Sequence, residues 1–176
     1  MKNYLFILVA LVFGLTSCAN LEYFTEDLKE NQGWSETQLR QIQFYNSEKI
    51  VLRRQKITGD TRIEDGDINF KSGKNLEEII IKRRTPGLLV KMPKSNQFYI
   101  SFDSDDGKYL VFSPHPKKGN RYLVQAKEWK NKNGKVQYGG DTYFITSESS
   151  FASLLVDIKK YSNIDKNKSR AKGRKI

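Results

Sequence analysis

A single cysteine and a single histidine among 176 residues remove most nucleophilic, redox and metal chemistry from this chain at once. His115 lies between Pro114 and Pro116, with no second histidine to complete a metal site and no spare thiol to serve. No Gly-x-Ser-x-Gly nucleophile elbow, glycine-rich phosphate loop, zinc-ligand spacing or dinucleotide fingerprint occurs in the sequence. No cofactor or metal is therefore expected. Long apolar runs are also missing, since a spanning helix needs about 20 apolar residues. The h-region-like stretch Tyr4 to Phe13 falls well short of that.

That short run has a different meaning. Lys2 supplies a positive n-region, Tyr4 to Phe13 an apolar h-region, and Leu15-Thr16-Ser17-Cys18 puts small residues ahead of the one cysteine. The pattern predicts a lipoprotein signal over residues 1–17, cleaved before Cys18, whose thiol then takes a diacylglycerol. The competing readings are an ordinary signal peptide or an uncleaved anchor. Residues 18–33 read as a lipidated tether, with a short helix near Thr25 to Asn31 capped by Thr25 and ended by Gly33.

Charge is unevenly placed. The chain carries +11 in all. The segment 159–176 holds eight basic residues against Asp165 alone, which is +7, whereas the body from Cys18 to Ile158 is only +3. In a cytosolic protein such a tail suggests nucleic acid. An exported lipoprotein meets anionic headgroups and acidic glycans instead, so nucleic acid is not an expected partner. A solvated tail that aids solubility is the plainer alternative.

Between tether and tail, residues 34–158 read as one β-rich domain, a length that buries a core without disulfides. Ser35 followed by Gln38 has capping-box spacing, and Trp34 and Leu39 have the spacing of a hydrophobic staple, predicting a helix over 35–45 with Trp34 buried. After Asn46-Ser47, short segments rich in Ile, Val, Tyr and Phe alternate with turns. Lys49–Ile57, Asp67–Phe70, Leu76–Arg84, Leu88–Met92, Gln97–Phe102, Lys108–Phe112, Arg121–Trp129, Lys135–Tyr138 and Asp141–Thr146 carry the strand signal. Gly139-Gly140 marks the cleanest hairpin. The fold class expected is mainly β, an antiparallel barrel or sandwich of about ten short strands with one N-terminal helix. Residues 151–161 fit both a helical stripe and a strand face, and a second, C-terminal helix is the slightly preferred reading.

Two acidic clusters invite functional readings. Asp103-Ser104-Asp105-Asp106-Gly107 resembles a calcium loop but has its glycine one position early and Pro114 where a bidentate Glu belongs, so an Asp-Gly hairpin turn explains it better. Glu77 and Glu78 are adjacent on a strand and point to opposite faces, so they cannot act as a catalytic pair. Basic residues carry the better hint. Arg53, Arg54, Lys82, Arg83, Arg84, Lys117, Lys118 and Arg121, with Lys91, lie on strands or at their ends, and Lys172, Arg174 and Lys175 in the tail. If several share a face they form a groove for an anionic glycan or headgroup; otherwise they are a solvated face that discourages edge pairing.

The chain resembles small exported lipoproteins of the Bacteroidetes that have no assigned activity. The resemblance rests on Leu15-Thr16-Ser17-Cys18, Trp34-Ser35-Glu36, Ile42-Gln43-Phe44-Tyr45, Ile50-Val51-Leu52 and Thr85-Pro86-Gly87. It continues through Arg121-Tyr122, Lys127-Glu128-Trp129, Leu154-Leu155-Val156-Asp157 and Lys172-Gly173-Arg174-Lys175. It implies a lipid anchor in a Gram-negative outer membrane. Ala19-Asn20-Leu21-Glu22 is a poor match to the acidic surface-export signal of such proteins, which favours the periplasmic face. Three functions follow as expectations: a non-enzymatic tethered domain that binds an envelope component or partner protein, an enzyme acting on envelope polysaccharide near Asp103 to Asp106, and a barrel that holds an apolar ligand or lipid inside.

Overall fold

The computed structural model describes residues 20–55, 76–130 and 132–161. The signal stretch with Cys18, the turn at 58–60, the strand expected at Asp67–Phe70 and the tail with Lys172, Arg174 and Lys175 lie outside the described residues.

Among the described residues there are twelve strands and four short helices. In chain order they are β1 (Leu21–Tyr23), α1 (Glu26–Gln32), α2 (Glu36–Leu39), β2 (Phe44–Asn46), β3 (Ile50–Gln55), β4 (Leu76–Ile81), β5 (Pro86–Lys94) and β6 (Gln97–Ser101). Then follow β7 (Tyr109–His115), β8 (Arg121–Val124), β9 (Glu128–Lys130), β10 (Asn133–Tyr138), β11 (Asp141–Thr146), α3 (Ser147–Ser150), β12 (Leu154–Asp157) and α4 (Ile158–Tyr161). They form two antiparallel sheets, one ordered β1-β12-β2-β5-β6-β7-β8 and the other β4-β3-β11-β10-β9. The protein is a β-sandwich, as the mainly β reading expected.

Side chains at every second position explain why these segments are strands. Phe98 and Ile100 on β6, Leu110 and Phe112 on β7, Val136 and Tyr138 on β10, and Tyr143 and Ile145 on β11 all point into one buried cluster fed by both sheets. The Gly139-Gly140 turn joins β10 to β11 with φ of 60° and 84°, the positive angles that a tight hairpin turn imposes. Asp105 accepts the Gly107 amide at 2.8 Å, and Asp103 accepts the Asp105 amide at 3.2 Å, so the acidic cluster is the β6–β7 turn.

The larger sheet curls until its ends touch. Tyr122 N donates to Phe24 O at 3.2 Å, Glu26 N to Asn120 O at 3.0 Å and Val124 N to Ala152 O at 3.1 Å. Thr25 and Arg121, and Leu123 and Ser153, form isolated bridges across the same seam. Within the curl Phe24 meets Phe44, Phe98 and Tyr122 at ring-centroid separations of 5.2, 5.5 and 5.1 Å. That interior is filled with rings, not hollow.

Three expectations need correction. Residues 20–33 are not a free tether: β1 pairs with β12, Phe24 is fully buried, and α1, capped by Thr25 and ended by Gly33, is tied down where Tyr122 Oη donates to Glu26 and Lys29 reaches Glu26 at 2.5 Å and Ser95 O at 2.7 Å. The helix expected over 35–45 is one turn, 36–39. Its capping box is present, but beyond Leu39 the buried residues Ile42 and Phe44 alternate with less buried neighbours, and pairing of β2 with β5 and β12 supplies the backbone bonds that a helix would have made internally. Likewise 154–157 is strand, held between β1 and β2, and only Ile158–Tyr161 is helical. A strand with partners on both sides reads as a continuous apolar run, which mimics a helix stripe.

Buried tyrosines give the fold a defined alkaline limit. Burial pushes the Tyr138 phenol up to about 12, with Asp103 adding to it. Burial, with Glu26 close by, raises Tyr122 further, and burial raises Tyr143. Unfolded tyrosines ionise near pH ~10. Above that the unfolded state sheds protons that the folded state keeps, so stability falls as pH rises. Tyr138 alone is expected to remove on the order of 2 kcal/mol between pH ~10 and ~12. Phenolate absorbance should lag behind that of a denatured sample until unfolding releases it; a titration superimposable on the denatured one would refute this.

Candidate functional site

The basic residues singled out by sequence do not form one groove. Arg53 and Arg54 face Glu78 and Glu77 across the β3–β4 pair, at 2.7 and 2.5 Å, and Arg54 also bonds Asp141 while lying 4.9 Å from the Tyr143 ring centre. Their charge is matched within the sheet, so they drop out as anion contacts. Lys91 lies over Tyr109, 5.6 Å from its ring centre. Lys82, Arg83 and Arg84 occupy the β4–β5 turn, where Arg83 donates to Ser47 O at 2.8 Å and Arg84 takes a φ of 60°.

Lys117, Lys118 and Arg121 belong to a different place. Pro116–Lys118 is a 3-10 turn between β7 and β8, and Arg121 stands opposite His115 in the register of that pair. The Arg121 guanidinium lies 3.7 Å from the Tyr23 ring centre, and the Lys118 ammonium 5.1 Å from that of Phe151. Beside this turn, where the chain leaves β8 and crosses to β9 in the other sheet, a cleft of about 420 Å³ opens. Ser113 and His115 of β7 form one wall, and Leu123, Val124 and Ala126 supply an apolar part of the lining. Trp129 comes from β9, and Ser150 and Phe151 from the end of α3.

Two features mark this cleft among the described residues. Trp129 is 47% exposed and Phe151 54%, in a protein that buries Trp34 and its core phenylalanines almost completely. The indole is packed closely, and the backbone of Phe151 is fixed. A Cβ at Gly134 would stand 2.7 Å from the Ala126 methyl and 2.9 Å from the Trp129 ring, so the indole rests where only glycine leaves room. Phe151 closes α3 by donating its amide to Glu148 O at 3.2 Å, and Thr146 caps the start of that turn.

None of the described residues lining the cleft is a carboxylate. The carboxylates considered for polysaccharide chemistry sit in the β6–β7 turn, where Asp103 is held below the usual carboxylate range by the Asp105 amide and lies 3.5 Å from Lys108. That is a self-satisfied turn. His115, set aside in the sequence as a lone loop histidine, lines the cleft. Sequence reasoning missed Trp129 and Phe151 as site residues: it placed the first in a strand and the second in a helical stripe. The available signal was a tryptophan flanked by Glu128 and Lys130 in a three-residue strand whose residues are all exposed.

The protein is thus an antiparallel β-sandwich with an aromatic-walled cleft at the junction of its sheets. No family model matches the chain, and comparison with curated proteins and with solved structures finds no similar protein. Among the described residues no helix is long and apolar enough to cross a membrane.

Proposed function

We propose that this chain is a non-enzymatic lipoprotein of the cell envelope, anchored through lipidated Cys18 in the outer membrane on its periplasmic side, whose β-sandwich binds an envelope component or partner protein. The observation that carries the binding role is the pair Trp129 and Phe151, half exposed and lining one cleft, with the indole packed against Gly134. Aromatic side chains left in water at fixed positions are the usual mark of a recognition surface. The basic segment 159–176 adds a salt-sensitive attraction to anionic surfaces. The lipobox-like run ending at Cys18 and the resemblance to exported Bacteroidetes lipoproteins support the location.

The anchor and the binding role are tested together. Cys18→Ser is expected to lose lipid labelling and to move from the membrane pellet to the soluble fraction after a high-salt wash, which removes the attraction of the basic segment. A variant that still sediments with membranes after that wash overturns the anchor. In parallel, the lipidated protein in detergent should retain isolated envelope material, and Trp129→Ala combined with Phe151→Ala should release it. Retention unchanged by both substitutions refutes the cleft's role.

A further inference from the structure

We infer that the cleft binds an acidic saccharide, with Trp129 and Phe151 stacking on sugar rings and Lys118 pairing with a carboxylate or sulfate. This deepens the proposed binding role and rests on it. The first argument is the mixture of chemistries. An acyl chain calls for a dry apolar slot, and a flat protein partner for a broad apolar patch with a polar rim. Here two half-exposed aromatic rings line a site that also presents the Ser113 hydroxyl, the His115 imidazole and the Gln125 amide. A pyranose offers that combination in return: apolar C–H faces for the rings and equatorial hydroxyls for the polar groups.

The second argument is charge. Lys118 stands over Phe151 beside the cleft, Lys117 adjoins it in the same turn, and Arg121 pairs in register with the lining residue His115. No described residue lining the cleft is a carboxylate. The cations of β3 are neutralised by Glu77, Glu78 and Asp141, whereas among the described residues the neighbour of Lys118 is the Phe151 ring. A ligand carrying a carboxylate or sulfate beside its sugar ring meets both the platform and its cation.

The third argument is rigidity. Gly134 sets the position of Trp129 by close approach, so it is a positioning residue, and the β7–β8 register sets His115 against Arg121. A ring held this way stacks without losing much side-chain freedom.

The test uses the full lipidated chain in detergent and four short probes: trigalacturonate, a sulfated disaccharide, neutral maltotriose and triglutamate. Isothermal titration calorimetry reads binding in the parent and in every variant, and tryptophan fluorescence locates it in the parent, because Trp34 is buried and Trp129 is not. Trigalacturonate or the sulfated disaccharide is expected to bind and to perturb the exposed tryptophan, with the stronger of the two identifying the anionic group. Trp129→Ala and Phe151→Ala should each weaken that binding by about tenfold. Gly134→Ala should weaken it in a protein still folded by circular dichroism, at some cost in thermal midpoint because the added methyl also meets Ala126, and Trp129→Phe should restore part of what Trp129→Ala removes. Lys118→Gln should weaken the acidic probes by roughly fivefold, erase their advantage over maltotriose, and flatten the salt dependence.

Acidic saccharide binding that ignores Trp129→Ala and Phe151→Ala overturns the inference and assigns the affinity to the basic segment 159–176. Preference for triglutamate overturns it in favour of an acidic peptide. Failure of every saccharide, in a protein that still retains envelope material in a Trp129-dependent way, also overturns it while leaving the binding role intact.

Discussion

Phe24→Ala should lower the stability of the sandwich by about 3–5 kcal/mol, the range for removing a fully buried phenylalanine. Phe24 is 0% exposed, and its ring contacts Phe44, Phe98 and Tyr122 and lies parallel to Trp34 at 6.2 Å. Its backbone joins both ends of the curled sheet, donating to Leu154 O at 2.9 Å and accepting from Tyr122 N at 3.2 Å. The void left by alanine therefore opens at the seam, where no continuous strand ladder holds the two ends together. A cavity there loses ring contacts on three sides, and neighbouring strands cannot collapse into it without breaking those two bonds. Urea unfolding followed by far-UV circular dichroism checks this, with Phe24→Leu expected to lose less than half as much. A midpoint for Phe24→Ala indistinguishable from that of the parent would mean that residues 20–33 are a tether after all.

What the sequence revealed follows the range of the interactions. Thr25 as a cap, the Ser35–Gln38 box, the Gly33 stop, the Gly139-Gly140 hairpin and the Asp105–Gly107 turn are each decided within five residues, and each is present. Strands such as Gln97–Ser101 and Asp141–Thr146 were readable because one face is buried and the other is not. The fates of 42–46 and 154–157 were harder, since they depend on β1, β2, β5 and β12 finding one another over more than a hundred residues. Local preference for a helix turn yields there to pairing and burial.

The candidate site was the least legible part for the same reason. Trp129 and Phe151 come from a strand of one sheet and a helical turn between sheets, and the residues opposite them come from the other sheet. No spacing rule connects positions 113, 129 and 151. Arg53 and Arg54 looked like ligand contacts because charge is visible in sequence, whereas cross-strand register, which assigns them Glu78 and Glu77, is not. Conversely, the lack of a carboxylate among the described residues lining the cleft becomes informative only once the cleft has walls.

Asn46 presents the second large effect, through polar and not apolar burial. It is 0% exposed, and its amide is fully engaged in the β4–β5 turn: Nδ2 donates to Glu48 O at 2.6 Å and Lys82 O at 2.8 Å, and Oδ1 accepts from Thr85 N at 2.7 Å. Its own carbonyl accepts the Arg84 amide at 2.9 Å, which holds the strained residue of the turn. Asn46→Ala removes three hydrogen bonds made by a fully buried side chain and, at about 1 kcal/mol each, should cost about 3 kcal/mol. Asn46→Asp is the sharper probe. It keeps an acceptor for Thr85 but turns a carboxylate toward two carbonyl oxygens, so the folded state favours the protonated form and the introduced group's pKa rises. The sign then follows: the charge-dependent loss is full above that raised value and vanishes as pH falls to the ordinary aspartate range near ~4. Asn46→Asp should therefore be less stable than Asn46→Ala at neutral pH and approach the parent in mild acid, because a protonated carboxyl can donate to one of the two carbonyls. Urea midpoints at both pH values decide it. Equal stability of Asn46→Asp and the parent at neutral pH would mean that this amide does not organise the turn carrying Lys82, Arg83 and Arg84, and that the turn's geometry is set by Gly87 and the β5 pairing alone.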